Sequence, residues 1–347
     1  MSILNQPHFH DEEAAFAKLE SIVWPDGPIC PHCGATDRIF ALKGVRSKAS
    51  KKNPEGIVRH GLKKCGHCRQ QFTARVGTVF ESSHIPLHKW MQAAHLLCCS
   101  KKGISSHQLH RILQITYKAA WFCSHRLREA MRTGALAPMG GAGGIVEIDE
   151  TIFGRASTHP KGRRPKQTRT RQPITNTAHK NVVLSLVERG GGVRTFHVTG
   201  STIAELMPII NANVSHEAQV MTDATSWYRF MNRDGRFLSH DRVDHSDKEY
   251  VRHELGRGPI HTNTVEGYFS VFKRGMRETY QHCSEKHLHR YLAEFDFRYN
   301  ARSALGVEDE QRTDKALKGS VGKRLTSSAN RALIAGTKSG FSKDPSA

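Results

Sequence analysis

Two Cys-x-x-Cys pairs, Cys30/Cys33 and Cys65/Cys68, restrict what the first third of this chain can become. Each pair turns two thiolates onto one point. Gly34 and Gly66, beside them, permit the backbone conformations that such a knuckle needs. Two knuckles together make a tetrahedral site of four sulfur ligands with no open position, which is a structural Zn2+ site of the zinc-ribbon type. His32 and His67 lie inside the knuckles, but four thiolates already fill the shell. The segment Arg69 to Phe80 is expected to supply the closing strands of the ribbon. A redox pair or a coincidental spacing is the rival reading. The other cysteines, Cys98, Cys99, Cys123 and Cys283, sit in helix-like sequence and read as reduced thiols rather than a secreted disulfide pattern.

The formal net charge is +20 and the isoelectric point about 9.8. A field of that sign draws polyanions, and double-stranded DNA is the expected partner. No run of about 18 apolar residues is present, so no membrane span is expected. The first residues are acidic and polar, without the basic and apolar regions of a signal peptide. A cytoplasmic, nucleoid-associated bacterial protein is the expectation.

A short helix is predicted from Asp11, with Ala15, Phe16 and Leu19 on one face and a turn at Trp24 to Gly27. Residues 85 to 133 read as three helices. The first carries Leu87, Trp90, Met91, Ala94, Leu97 and Cys98. The second is capped near Ser105 or Ser106, and the third is capped by Thr116. A short helix, a tight turn and a basic helix fit helix-turn-helix. Lys118, Arg126 and Arg128, with Trp121 and His125, are then expected on the outer, DNA-facing side of the third helix; an ordinary helical connector is the plain alternative.

Gly134 to Gly144 has linker composition. Strands are predicted at Ile145 to Thr151, Val182 to Val187, Val193 to Val198, Ala218 to Thr222 and Phe237 to Val243. A helix from Thr202 and a last one from Lys286 to Asn300 accompany them. Between the first two strands lies a basic stretch holding Arg163, Arg164, Lys166, Arg169 and Arg171. It suits a loop laid on a DNA backbone, or equally a solvated insertion. The resulting segments are 1–82 for the N-terminal helix and ribbon, 83–134 for the helix-turn-helix, 135–144 for the linker, 145–302 for a catalytic α/β domain and 303–347 for a tail.

Acids end two of these strands and begin a later helix. Asp149 closes the first strand and Asp223 the fourth. Glu266 lies in the first turn of a helix predicted over His261 to Met276, with Thr262 or Thr264 as its N-cap. Lys273 follows Glu266 by two helical turns, so both project from one face. Three hairpinned strands, a helix and a fourth strand make a ribonuclease H-like arrangement, which sets the two aspartates side by side. Carboxylates so gathered repel one another and stay ionised around cations. Mg2+ or Mn2+ is the expected catalytic metal, with Lys273 holding a phosphate as a point charge. By strand alternation Glu147 shares the face of Asp149, and Glu150 takes the other.

The motifs CPHCG, KCGHC, VEIDETIFG, VMTDATSWY, HTNTVEGYFSVFKRGM and KHLHRYLAEFDFRYNAR run through nearly the whole chain. Together they resemble the zinc-ribbon insertion-sequence transposases of the DDE superfamily, in the bacterial, ISXO-like family numbered fifteen ninety-five. The resemblance implies Asp149 and Asp223 as catalytic carboxylates and Lys273 as their basic partner. It implies binding of terminal inverted repeats, hydrolytic strand cleavage and strand transfer without a covalent protein–DNA intermediate, by a homodimer or larger assembly. Members often place asparagine in the third role, so Asn263 stands beside Glu266, which its charge favours. The rival readings are a DNA-binding protein without activity and a ribonuclease H-like nuclease.

Overall fold

A computed structural model describes residues 2–325 except 52, 135, 155–179, 226, 227, 230, 234, 248 and 255–257. The chain divides into two compact units. The first comprises residues 1–98, 106–131 and 313–347, and the second 99–105 and 132–312.

In the first unit, helix α1 (Glu12–Val23) starts at Asp11, whose carboxylate accepts the Ala14 N–H at 2.7 Å. Ala15, Phe16 and Leu19 form its buried stripe, as a 3.6-residue period requires. A three-stranded antiparallel sheet follows, β1 (Ile39–Ala41), β2 (Lys63–Cys65) and β3 (Gln71–Phe72), in that spatial order. The closing strand is shorter than the sequence suggests: β3 ends at Phe72, and turns carry the chain on toward α2. Helices α2 (Leu87–Cys99), α3 (Ser106–Leu113) and α4 (Tyr117–Met131) come next. Thr116 caps α4, its hydroxyl accepting the Ala119 N–H at 3.2 Å.

The ribbon and the helices belong to one unit, not to separate domains divided near residue 82. Glu12 of α1 shows why. Its carboxylate accepts the Leu87 N–H at 2.7 Å and the His88 N–H at 3.1 Å, and so caps α2 from a distant part of the sequence. The tail boundary shifts as well. Residues 303–312 belong to the second unit, and residues from 313 belong to the first. Helix α8 (Asp309–Lys318) spans this change, with Ala316 and Leu317 buried.

The second unit is built on a five-stranded sheet: β4 (Ile145–Phe153), β5 (Asn181–Glu188), β6 (Val193–Val198), β7 (Gln219–Asp223) and β8 (Ser239–Val243). Their spatial order is β6-β5-β4-β7-β8. The first three are antiparallel, with Gly190 to Gly192 turning the β5–β6 hairpin, whereas β7 runs parallel to β4 and β8 parallel to β7. Helix α5 (Ile203–Asn213) returns the chain from β6 to β7, started by a capping box between Thr202 and Glu205. After β8 come α6 (Asn263–Arg274), a π-helical turn at Gly275–Tyr280, and α7 (Glu285–Asn300).

Period-two alternation divides the sheet between two cores. Val146, Ile148, Leu184, Leu186 and Val220 pack with Leu206 and Ile210 of α5. On the opposite side Val183 and Val187 pack with Val265, Phe269 and Phe272 of α6 and with Leu288, Leu292 and Phe295 of α7. Strand β5 therefore reads as a nearly continuous apolar run, Val182 to Val187 interrupted only by Ser185, because both of its faces are covered. The second half of the glycine-rich stretch is not a free linker. Met139 is buried in the α5-side core, and the Gly140 N–H donates to Glu188 at 2.9 Å.

Candidate metal and nucleic-acid sites

The four thiols of the ribbon come together. Cys30, Cys33, Cys65 and Cys68 place their sulfurs within 4.8 Å of one another, with Cys30–Cys68 and Cys33–Cys65 each at 3.6 Å. A tetrahedron of ~2.3 Å Zn–S bonds has edges of about 3.8 Å, so the spacing fits one structural Zn2+. Backbone N–H groups of Cys68 and His67 pull the Cys65 thiol down to about 6, whereas burial and the neighbouring thiols push Cys68 up to about 12 against the Gln70 backbone N–H, so the four sulfurs become thiolates together only around a cation. Phe72, Trp24 and Ile39 pack around the knuckles.

The acids of the second unit are placed by the sheet. The parallel register pairs Ile148 with Thr222, which sets Asp149, midway along β4 rather than at its end, beside Asp223 at the end of β7. Asp149 receives the Glu150 N–H at 2.7 Å. Asp223 is held by Thr225, whose hydroxyl donates at 2.6 Å and whose N–H donates at 3.2 Å, an Asx-type turn that fixes the carboxylate. Glu266 projects from the first turn of α6. His245 Nε2 stands 3.1 Å from it, and the Thr262 hydroxyl lies 3.3 Å away.

Burial, and then the charges of Asp223, Glu150 and Glu266, push the Asp149 carboxyl up to about 8. Acids on two strands and a helix thus act on one another. Among the described residues the thiols are the group gathered tightly enough to share one ion; the carboxylates are near enough to repel but are spread more widely. Asn263 is exposed at the first residue of α6. Lys273 is half-buried on the same helix, its ammonium 5.9 Å from the centre of the Phe269 ring.

The candidate DNA contacts divide. Lys118 is exposed at the start of α4. Arg126 and Arg128 do not face outward, as the helix-turn-helix reading expects: they are 5% and 1% exposed. The Arg126 guanidinium donates to the carbonyls of Val79 at 2.8 Å, Glu81 at 2.9 Å and Leu325 at 3.2 Å. Arg128 donates to the Ser124 hydroxyl at 3.1 Å. His125 is buried as well. The burial has a simple cause. A basic helical stripe looks solvated unless loops supply carbonyls to cover it, and those carbonyls come from segments remote in sequence. Arg163, Arg164, Lys166, Arg169 and Arg171 lie outside the described residues.

What starts α6 is not the threonine cap that the sequence suggests. Thr262 occupies the N-cap position, but its side chain makes no capping bond. Glu147, fully buried on β4, does so from across the sheet. Its Oε2 accepts the N–H groups of Thr264 at 2.8 Å and Val265 at 3.0 Å. Glu147 is thereby fully engaged rather than free beside Asp149. Glu150, on the other face of β4, accepts the Tyr228 hydroxyl at 2.6 Å.

Residues 141–300 match the ISXO2-like transposase domain, and residues 10–71 match the transposase zinc-ribbon domain. A protein described as "Uncharacterized protein in transposable element ISH50", from Halobacterium salinarum, is 28% identical over 302 residues, covering 84% of this chain and 91% of its own. A solved structure, a pre-cleavage Mos1 transpososome, aligns over 73% of this chain and 80% of its own at 12% identity and a TM-score of 0.24, too distant to bear on the fold. The zinc-ribbon and transposase domains of one insertion-sequence transposase family, IS1595, are thus both matched, in this order along one chain.

Proposed function

We propose that this chain binds the terminal inverted repeats of an insertion sequence and carries out metal-dependent DNA strand cleavage and strand transfer. The observation that carries the reading is the parallel register of β4 and β7, with Asp149 and Asp223 beside each other on neighbouring central strands, where burial and the charges of Asp223, Glu150 and Glu266 raise the Asp149 carboxyl. Acids gathered in this way are stable in their ionised form when cations share the site. The strand order, with the first and fourth strands parallel and adjacent at the centre, supports a ribonuclease H-like scaffold for it.

The donor set of hard carboxylate oxygens suits Mg2+ or Mn2+, held by Asp149, Asp223 and Glu266. Bound there, the metal would activate a water or a 3'-hydroxyl and stabilise the leaving oxygen. The chain's own residues do the positioning. Thr225 and the Glu150 N–H fix the two aspartates, and α6 presents Glu266. Lys273, two turns further along that helix, is the point charge for a phosphate. Glu266 is preferred over Asn263 as the third oxygen donor because its charge is felt at Asp149.

Lys118 at the start of α4 is the described DNA contact of the first unit, since a reading helix meets base edges with its N-terminal residues. The basic stretch of sequence holding Arg163 to Arg171 is the second contact, toward the phosphate backbone. Synapsis of two element ends calls for at least a homodimer during the reaction.

The test is cleavage of a duplex bearing the element's end, with Mg2+ or Mn2+, by wild type, Asp149→Asn and Glu266→Gln. The expected result is that all three bind and only the wild type cuts. If Glu266→Gln cuts like wild type, the third role passes to Asn263. If the wild type binds the end and never cuts, the enzymatic reading is wrong and a DNA-binding role replaces it.

A further inference from the structure

Glu147 is a charged side chain with no exposed surface, two residues before Asp149 on the same face of β4. A lone buried carboxylate is strongly unfavourable, and this one is fully matched. Besides the two N–H groups of α6, it accepts the Thr264 hydroxyl at 2.8 Å and Arg189 Nε at 2.6 Å, and His261 Nδ1 stands 3.2 Å away. Arg189, which follows β5, spends its remaining donors on the same segment. It donates to the Pro259 carbonyl at 2.6 Å and the His261 carbonyl at 2.8 Å, with Met221 Sδ at 3.0 Å. The Arg189 backbone N–H is itself tied to the Ile145 carbonyl at 3.0 Å.

These bonds connect three things: the strand that bears Asp149, the hairpin after β5, and the chain leading into the helix that bears Glu266. An ordinary N-cap comes from the residue beside the helix and leaves the helix free to shift as a body. Here the cap comes from the central strand, so the first turn of α6 cannot move relative to Asp149 without breaking a buried, charge-assisted network. Glu266 lies within that turn. Resting on the three-carboxylate reading above, we infer that Glu147 and Arg189 are positioning residues. They set the distance and rotation of Glu266 relative to Asp149 and thereby the affinity of the acid cluster for its divalent cation.

Outer partners that orient metal ligands are worth about 10–100-fold in metal affinity when removed. The experiment is Mn2+ titration of full-length, zinc-loaded protein, with free Mn2+ followed by electron paramagnetic resonance. Thermal melts are recorded on the same samples. Glu147→Gln weakens hydrogen-bond acceptance and removes the charge that balances Arg189. Arg189→Lys is the milder variant, which keeps a cation near Glu147 but cannot reach both carbonyls at once. Asp149→Asn reports the cluster itself. Leu206→Ala, in the core on the opposite side of the sheet, reports destabilisation alone.

The expected result is about 10-fold or greater loss of Mn2+ affinity in Glu147→Gln, with Arg189→Lys in the same direction, and near-native affinity in Leu206→Ala despite its lower melting temperature. If Glu147→Gln does not fold, Arg189→Lys decides alone. Native Mn2+ affinity in the folded Glu147 or Arg189 variants, with Asp149→Asn impaired, overturns the positioning role and leaves the carboxylate site intact. If Asp149→Asn binds Mn2+ like wild type, the carboxylate reading fails and the positioning role fails with it.

Discussion

Truncating Arg126 to alanine separates two roles that a basic helix can play. Arg126 is 5% exposed and donates to three backbone carbonyls, at 2.8, 2.9 and 3.2 Å. At a net ~1 kcal/mol or slightly more per bond, the loss is roughly 3 kcal/mol. The guanidinium also carries a burial cost, which lowers its own pKa, and water entering the gap re-solvates some carbonyls. Both effects reduce the loss, while the packing lost with the long stem adds to it. About 2–4 kcal/mol is therefore expected, a fall of roughly 5–15 °C in the melting of the first unit. DNA binding by the folded variant should keep its salt dependence, because no phosphate contact is removed. Lys118→Ala should behave in the opposite way: its melting should stay within about 0.5 kcal/mol of wild type, while the slope of log affinity against log salt falls by about 0.9. The assays are calorimetric melts and fluorescence anisotropy on a duplex at salt concentrations from about 50 to 200 mM. If Arg126→Ala melts like wild type and loses salt slope, Arg126 is a DNA contact and not a buried brace of the first unit.

Three further outcomes are expected. Strong chelation, or Cys65→Ser, should remove one zinc per chain and expose residues 24–72 to proteolysis, since strands of three, three and two residues cannot hold themselves; a metal-free ribbon that still resists protease would contradict this. Burial raises the Asp296 carboxyl from 3.8 to about 6, against the bonds it receives from Thr195 and Tyr268. The folded state therefore holds a proton that the unfolded state has released, and the Asp296 contribution to stability should fall as pH rises from about 4 to 6 and level off above, while the raised Asp149 carboxyl prolongs the overall decline toward pH 8. Urea melts should show the stability difference between wild type and Asp296→Asn falling from about pH 4 to 6 and staying constant above; a difference that does not change with pH would contradict this. Gly103→Ala should destabilise the second unit by at least 1–3 kcal/mol by order of magnitude, because φ is +86° and the new Cβ would lie 1.8 Å from the Tyr280 hydroxyl; an unchanged melt would show that the loop relaxes at no cost.

What the sequence determined by itself is what short-range chemistry controls. Cysteine spacing gives the zinc knuckles, because two thiolates and a glycine suffice to turn a chain onto a metal. Apolar periodicity gives α1 to α4 and the strands of the second unit, and glycines 190 to 192 give the hairpin. Asp11, Thr116 and the Thr202–Glu205 pair start helices from within their own turns. The acid at the end of β7 stands out along the chain for the same reason, as a carboxylate closing an apolar strand, whereas β4 continues past Asp149 to Phe153 because β5 pairs with it that far. The tertiary structure decided whatever depends on a partner far away in sequence. Arg126 is internal because the carbonyls of Val79, Glu81 and Leu325 reach it. Glu12 caps α2 and Glu147 caps α6, although neither lies near those helices in the chain. Residues beyond 312 join the first unit, because helix α8 has an apolar side to bury. A charged residue looks the same along the sequence whether it meets water or a remote backbone; only the fold supplies the buried acceptors and donors that make its desolvation tolerable.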